Sequence, residues 1–522
     1  MNLLTDPLLR AVTDRGEESL SLPALLEALG QDRVQHFTGL QRHQADAFHV
    51  FLCYLAGAIL ARDGHRDPVR SEAYWREGMR LLAGEAGDSA WTLVVDDLSK
   101  PAFMQPPLPK GEHGNLKRAA DSADALDLLP TAKNHDLKQT RAIHSTPDEW
   151  VYALISLQTM SGFFGSGHYG IARMNGGHGN RSVVELVRSY SPGCRWRDAV
   201  TRLLDHRDGV LAGEFGYDPR GLVLVWLEPW DGQTSLPLSR LDPFHIEICR
   251  RMRLRSDGKR IWAESLLSQA NRIAAKELKG IVGDAWLPVD LGADGGKRAD
   301  AKALTISPQG LTADVLRRLV FADGIQLTPL QRPGPGWSGP LWLTVSVLIR
   351  GQGTTDGFHS RDIPIPPPVR ARLFGSPDKR RPLAQLAKTA LEYAGLLENR
   401  VLKPAVFAYI EGAPESIQFD RASAKAWWQR FSSRFTDLWS RDYFPWLWSV
   451  PDPFEEETVL NAWTRLLADR ALAVLDEAAA AMPQRTGRQY RTRVQAERTF
   501  WAALYRELPH LKEEKHERIA ST

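Results

Sequence analysis

Cysteine is nearly absent from this 522-residue chain. Only Cys53, Cys194 and Cys249 occur, far apart in sequence. Three such residues form neither a disulfide framework nor a C-x-x-C zinc knuckle, and they read as small hydrophobes in a reducing compartment. Long apolar runs are missing too. The longest, 50-VFLCYLAGAILA-61, falls short of the roughly 18–20 residues of a bilayer span and predicts a buried helix, with no membrane partner. The N-terminal MNLLTDPLLRAVTDRGEES carries Asp6 and no basic region leading into an apolar core, so a secretory signal is not expected and a cytoplasmic location is. Net charge is small: 66 basic against 63 acidic residues leave +3, so any nucleic-acid site must come from local clustering. No period of 20–50 residues repeats, which excludes a solenoid.

What is present is 43% apolar composition over a length that predicts two or more domains. Up to about residue 361, apolar strands such as 222-LVLVWLE-228 and 341-LWLTVSVLI-349 mix with helices at Ala45–Arg62 and Trp150–Met160. At 362–382, Pro364, Pro366, Pro367 and Pro368 predict a stiff extended connector. From 383 to 522 the pattern is helical, in stretches of about 383–411, 422–449, 456–482 and 488–508. Apolar residues recur there every three or four positions: Trp428, Phe431, Phe435, Leu438 and Trp439, then Leu460, Trp463, Leu467 and Leu475, then Tyr490, Val494, Trp501, Leu504 and Leu508. The expected class is α+β, a large mixed α/β N-terminal domain followed by a C-terminal four-helix bundle with its tryptophans in the core.

Three stretches invite a chemical reading. In 161-SGFFGSGHYGIARMNGGHGNRS-182, seven glycines lie between Gly162 and Gly179, and Gly165, Gly167 and Gly170 spell G-x-G-x-x-G. That fingerprint needs a strand entering and a helix leaving, because the pyrophosphate rests on the helix N-terminus. Here Trp150, Leu154, Leu157 and Met160 precede it at helical spacing, and 175-NGGHGN-180 is too glycine-rich to begin a helix; Glu185, at the spacing of a ribose-binding acid, is a chance match. The second stretch, 350-RGQGTTDGFHSRD-362, reads as a strand-exit loop with small, amide and hydroxyl residues suited to base edges and sugars. In the third, 250-RRMRLRSDGKR-260, six of eleven residues are basic, which fits either a solvated charged face or phosphate contacts.

Enzyme signatures fail. Neither H-R-D tripeptide, at His65 and His206, has the downstream Asn of a kinase loop, and Gly296-Lys297 is followed by Arg298 with Leu291 where a first Walker glycine belongs. The His135-Asp136 pair lacks further spaced metal ligands. A nucleotide- or metal-dependent enzyme using Gly165–Gly170 or His135-Asp136 is the alternative to a binding role. A purely architectural subunit is a third reading. Glycine-rich backbone can approach a ligand closely and turn N–H groups toward phosphates or groove edges, which favours nucleic acid.

The order of 2-NLLTDP-7, 103-FMQ-105, 128-LLPTAKNHDLKQTR-141, the helix running into 161-SGFFGSGHYGIARMNGG-177, the 350–362 stretch and the terminal bundle resembles CasA, the large subunit of the type I-E CRISPR surveillance complex Cascade. The resemblance spans nearly the whole chain. It implies a non-enzymatic subunit of an antiviral ribonucleoprotein, without cofactor, that recognises the protospacer-adjacent motif (PAM) in duplex DNA, helps open the duplex and recruits a helicase-nuclease. Its implied partners are guide RNA (crRNA), double-stranded target DNA, other Cascade subunits and that nuclease. By the same resemblance, Gly162, Gly165, Ser166, Gly167 and Gly170 would lie against the PAM, and Gln352, Gly353, Thr354 and Thr355 would form the wedge. Either Lys276 or Lys279 would supply a reading lysine. Lys133, Asn134, His135 and Lys138 would meet the guide-RNA handle or neighbouring subunits, and Arg250, Arg251, Arg253 and Arg255 would hold phosphates. Some members carry a cysteine cluster suggestive of zinc; its absence here implies no metal.

Overall fold

The computed structural model describes residues 1–127, 145–176, 179–292, 301–351, 354–412, 417–482 and 486–512. The chain forms two units, Met1–Leu311 with Ala322–Pro367, and Thr312–Phe321 with Pro368–Thr522.

The first unit is built around the helix Arg42–Asp63, which contains the apolar run noted above and is buried along Val50–Leu60. A helix apolar on every side needs neighbours all round. It finds them in the helices Pro147–Met160 and Pro192–Leu211 and in the strand Leu241–Ile246. It is the one described helix long and apolar enough to cross a membrane, and most of that window is buried inside the protein. Aromatic rings interlock edge to face along it, Phe48 on Tyr152 at 4.9 Å and Phe51 on Phe103 at 5.8 Å, and Phe103 in turn meets Trp226 at 5.8 Å, which packs on Trp91 at 6.0 Å.

One sheet has three antiparallel strands, with Leu341–Gly351 in the middle between Ser182–Val187 and Thr354–Ile365. Its register sets Trp342 opposite Val187 and Val347 opposite Ser182. On the other side Leu341 faces Ile365 and Gly351 faces Thr354, with a bulge between Ile349 and Arg350. Most of the predicted loop at 350–362 is thus strand: Arg350 and Gly351 end the first arm of a long hairpin and Thr354 to Asp362 belong to the second, paired with a β-branched strand that already has one partner. The predicted strand at 222–228 is shorter: Leu222–Leu224 is extended and Val225–Leu227 winds into a 3₁₀ turn.

The proline-rich stretch does not form a separate connector. Pro364 sits in Thr354–Ile365, an edge strand where a missing N–H is tolerated. Pro367 and Pro368 open the helix Pro367–Phe374, and Pro377 opens the helix Pro377–Leu396. In a first turn the fixed proline φ prepares a helix, since the lost N–H has no helical partner there anyway.

In the second unit, Pro377–Leu396 continues through a π-helical segment, Leu397–Leu402, into Lys403–Ile410, and packs with Ala422–Ser449, Glu456–Ala481 and Thr486–Glu507. These are the four expected helices. Trp463 is fully buried, stacks on Trp446 at 4.5 Å and donates its indole N–H to the Ala390 carbonyl at 2.9 Å. Tyr443 donates to the Ala387 carbonyl at 2.7 Å. Leu504 in the last helix and Leu508 just after it are buried as the apolar spacing predicts, but Thr492, Ala496, Phe500 and Ala503 complete the inward face, while Tyr490 is 82% exposed.

Candidate nucleic-acid interface

The glycine stretch begins where Pro147–Met160 ends at Ser161, in extended conformation. Its glycines do two different jobs. Gly162, Gly170 and Gly179 let backbone pile on backbone: a Cβ at Gly162 would lie 2.5 Å from the Gly179 carbonyl oxygen, one at Gly170 3.0 Å from Gly162, and one at Gly179 1.8 Å from the Asn175 carbonyl oxygen. Gly165 and Gly167, at φ 120° and 90°, form the tip. There the Phe164 N–H donates to the His168 carbonyl at 2.9 Å, and the His168 N–H donates to the Gly165 carbonyl at 3.0 Å. Nothing lies within 4 Å of the Cβ position of Gly165, and Ser166 beside it is exposed.

The loop leads through Asn180 and Arg181 into the strand Ser182–Val187, so the order is helix, loop, strand, the reverse of a dinucleotide fold. Glu185 is fully buried and bonded to Arg195 at 2.9 Å, which removes it as a ribose ligand.

Residues far off in sequence hold the loop from beneath. Arg250, buried, donates to the carbonyls of Gly162 and Cys249 at 2.9 Å each and to that of Tyr169, and its guanidinium lies 5.8 Å from the Phe164 ring centroid. The Ser268 N–H donates to the Gly167 carbonyl at 3.0 Å, and the Asn271 amide to the Gly170 carbonyl at 3.0 Å. Leu267, 60% exposed, lies where a side chain on Gly167 would go. Further down, Gln158 ties the helix to the next strand: its amide oxygen accepts from the N–H groups of Cys249 and Arg250 at 2.9 and 2.8 Å. Ser268, Asn271 and Gln158 carry no sequence signal that marks them as loop supports.

The basic run is corrected by its surroundings. Arg250, Arg251 and Arg253 are not phosphate contacts, because all three are buried. Arg251 donates to the Leu267 carbonyl at 3.1 Å and pairs with Glu112; Arg253 donates to the carbonyls of Lys100 and Val95 at 2.9 and 3.0 Å. Irregular backbone packed inside a protein leaves carbonyls without ladder partners, and the five donors of a guanidinium can satisfy several at once. Burial, with Arg255 nearby, brings the Arg253 pKa down to about 10. Arg255 alone is partly exposed, and it faces the Asp96 carbonyl and Glu264.

Lys276 opens a short 3₁₀ turn, Lys276–Leu278, Lys279 follows it, and both are exposed. They are not equivalent. Lys276 lines a cavity of about 270 Å³ together with Phe163, Tyr169 and Gly170 of the loop; Lys279 does not line it, and its carbonyl accepts from Ala303.

Thr354 and Thr355 open the second arm of the hairpin, opposite Gly351 and Arg350. Gln352 and Gly353 between the arms lie outside the described residues, as do Lys133, Asn134, His135, Asp136 and Lys138, and Gly296-Lys297. The register nonetheless relates the two predicted DNA loops. The glycine loop enters the sheet at Ser182, opposite Val347, and the hairpin runs on from Val347 to Gly351, four residues or about 13 Å at 3.3 Å per residue. Both therefore leave the same end of one sheet. Among the described residues no group of three His, Cys, Asp or Glu is placed to hold a metal ion.

A mixed α+β unit and a second unit that ends in a run of helices are consistent with the fold of CRISPR-associated Cse1 proteins. The chain has the CasA (Cse1) fold over its whole length. It superposes on a CasA from Thermus thermophilus with a TM-score of 0.62 at 14% identity, covering 97% of this chain and 99% of that one. Thermobifida fusca Cse1 gives 0.62 at 15%, covering 98% of each chain, and Acidimicrobium ferrooxidans Cse1 gives 0.58 at 15%, covering 97% and 98%. No family model matches the sequence, and no curated protein does.

Proposed function

We propose that this chain is the non-catalytic large subunit of a type I-E CRISPR surveillance complex. In this reading it recognises the PAM in duplex DNA, helps separate the first base pairs and recruits the helicase-nuclease. Its partners are the guide RNA, the other Cascade subunits, target DNA and that nuclease, in the cytoplasm. The observation that carries the reading is the placing of the glycine tip and the hairpin at one end of one sheet, in a chain that follows the CasA fold throughout. Open backbone at Gly165 and Ser166 is suited to a minor groove, where side chains would hold a reader away. A groove read there distinguishes base pairs incompletely, so several related PAMs should be accepted.

The test is binding of the reconstituted guide-RNA complex, with and without this chain, to a guide-matched duplex flanked by randomised bases. Enrichment of a restricted flanking set only when the chain is present is the expected result, and a flat library would overturn the reading. Two substitutions sharpen it. Gly165→Asp, which puts a charged side chain at an open position of φ 120°, should weaken duplex binding and leave single-stranded target binding intact, since pairing with the guide needs no opening step. Lys276→Ala should weaken duplex binding about 10- to 100-fold, the worth of one charged hydrogen bond, with Lys279→Ala the milder change. Equal losses on both substrates would exclude this mechanism.

A further inference from the structure

The cavity beside the glycine loop has a composition that loop packing does not require. It is lined by the aromatic residues Phe163 and Tyr169 and the apolar Met174 and Ile273, with Asn175, Asn271 and Lys276 as its polar members. We propose that it receives a single unpaired nucleobase from DNA opened at the loop. The proposal rests on the DNA-recognition reading above and adds a destination for a base that has lost its partner.

Four observations carry it. The ring centroids of Phe163 and Tyr169 are 5.9 Å apart with the planes inclined at 55°, so the two rings are not stacked face to face on each other. Part of the lining is apolar: Ile171 and Met174 are buried and cluster with Cys249. The Asn271 amide nitrogen is bonded to the Gly170 carbonyl, which fixes the side chain and leaves its oxygen as an acceptor for a base amino or imino group. Lys276 is exposed and carries an ammonium for the adjoining phosphate or a base carbonyl. A volume of about 270 Å³ admits one heteroaromatic ring system and is below the usual range for larger organic ligands. Aromatic faces, one acceptor and one cation are what recognition of an unstacked base requires.

The experiment uses the full complex with duplexes carrying 2-aminopurine at one position at a time, across the flank and the first target bases of the displaced strand. Permanganate reactivity of thymines at the same positions is measured in parallel. With the unaltered chain, one position is expected to be unpaired yet shielded from permanganate. With Tyr169→Leu, which keeps apolar volume, or Ala172→Phe, which fills the cavity from its rim, that position should become several-fold brighter and reactive while its neighbours stay unchanged. If flank-dependent duplex binding is intact but no position is both unpaired and shielded, the pocket proposal is wrong and the DNA-recognition reading stands. If flank dependence is itself absent, both fall. Shielding that persists unchanged in both assembled variants would put the base elsewhere and overturn the pocket proposal.

Discussion

Replacing Glu185 by alanine is expected to destabilise the first unit by about 3–5 kcal/mol, the usual effect of removing one partner from a buried ion network. The carboxylate is fully buried in the strand Ser182–Val187. It accepts from Arg195 at 2.9 Å and from the Trp286 indole at 3.4 Å, and it lies 3.3 Å from His49 and 3.5 Å from Arg202. Arg195 in turn holds Asp46 at 2.8 Å, and Asp46 accepts from Ser346 on the middle strand. Alanine would leave Arg202, 7% exposed, and Arg195 without their shared anion. Urea unfolding followed by tryptophan fluorescence reads the change, and a shift below about 1 kcal/mol would show that the network is not the sheet's main tie.

The same network sets an acid limit. Burial alone would raise the Glu185 pKa, but Arg195, His49 and Arg202 outweigh it and hold the carboxyl well below its ordinary range. A depressed carboxylate contributes stability above its unfolded pKa of about 4.3, and that stability is lost as pH falls below this value. Burial also lowers the pKa of His49, so protonation below its ordinary value near 6.5 acts in the same direction. The melting temperature should therefore decline as pH drops from about 7 to about 4. In Glu185→Ala the part of that slope below about pH 4.5 should be shallower.

Arg250→Met is expected to reduce duplex binding by the complex about 10- to 100-fold while leaving single-stranded target binding near wild type. The guanidinium satisfies the carbonyls of Gly162, Tyr169 and Cys249. A buried acceptor left unsatisfied costs about 1–3 kcal/mol, so the loop would move to regain partners, and each 1.4 kcal/mol lost in the bound geometry is about tenfold in affinity. Gly179→Ala should act on the same loop by another route, because its Cβ would sit 1.8 Å from the Asn175 oxygen and backbone must shift. Electrophoretic mobility shifts on both substrates check the pair. Unchanged duplex affinity in both variants would mean that the shape of the loop is irrelevant to DNA.

Elements defined by local periodicity were legible in the sequence. The bundle helices and the helix leading into the glycines follow from three- and four-residue spacing, and the buried helix Arg42–Asp63 from an unbroken apolar run. Partnerships set by distant backbone were not. Nothing in 250-RRMRLRSDGKR-260 reveals that carbonyls at Val95, Lys100 and Gly162 await donors, so a buried set of carbonyl ligands reads as a surface patch. The prolines of 362–382 and the glycines and threonines of 350–362 are equally ambiguous until strand pairing decides between loop, edge strand and helix start. The motifs behind the resemblance turn out to be knots of the fold. Gln105 is fully buried and binds the carbonyls of Leu93 and Phe103 and the N–H of Leu254, and the Asn2 side chain closes the turn that seats Leu4. Of the site, Lys276 became distinguishable from Lys279 only through the cavity it lines.

The shared sheet end has a mechanical consequence. Since the strand that the glycine loop enters and the first arm of the hairpin are hydrogen-bonded neighbours, their offset behaves like the opening of a caliper whose scale is the pleat. A slip of one residue would turn every side chain of the moved strand to the opposite face, so the jaws can be reset only in steps of two residues, roughly 7 Å. That step is about two base-pair rises along B-form DNA, taken at roughly 3.4 Å each. Under the proposed function, lengthening both arms of the hairpin by two residues is expected to displace the point of strand separation by about two base pairs from the bases met by the glycine loop.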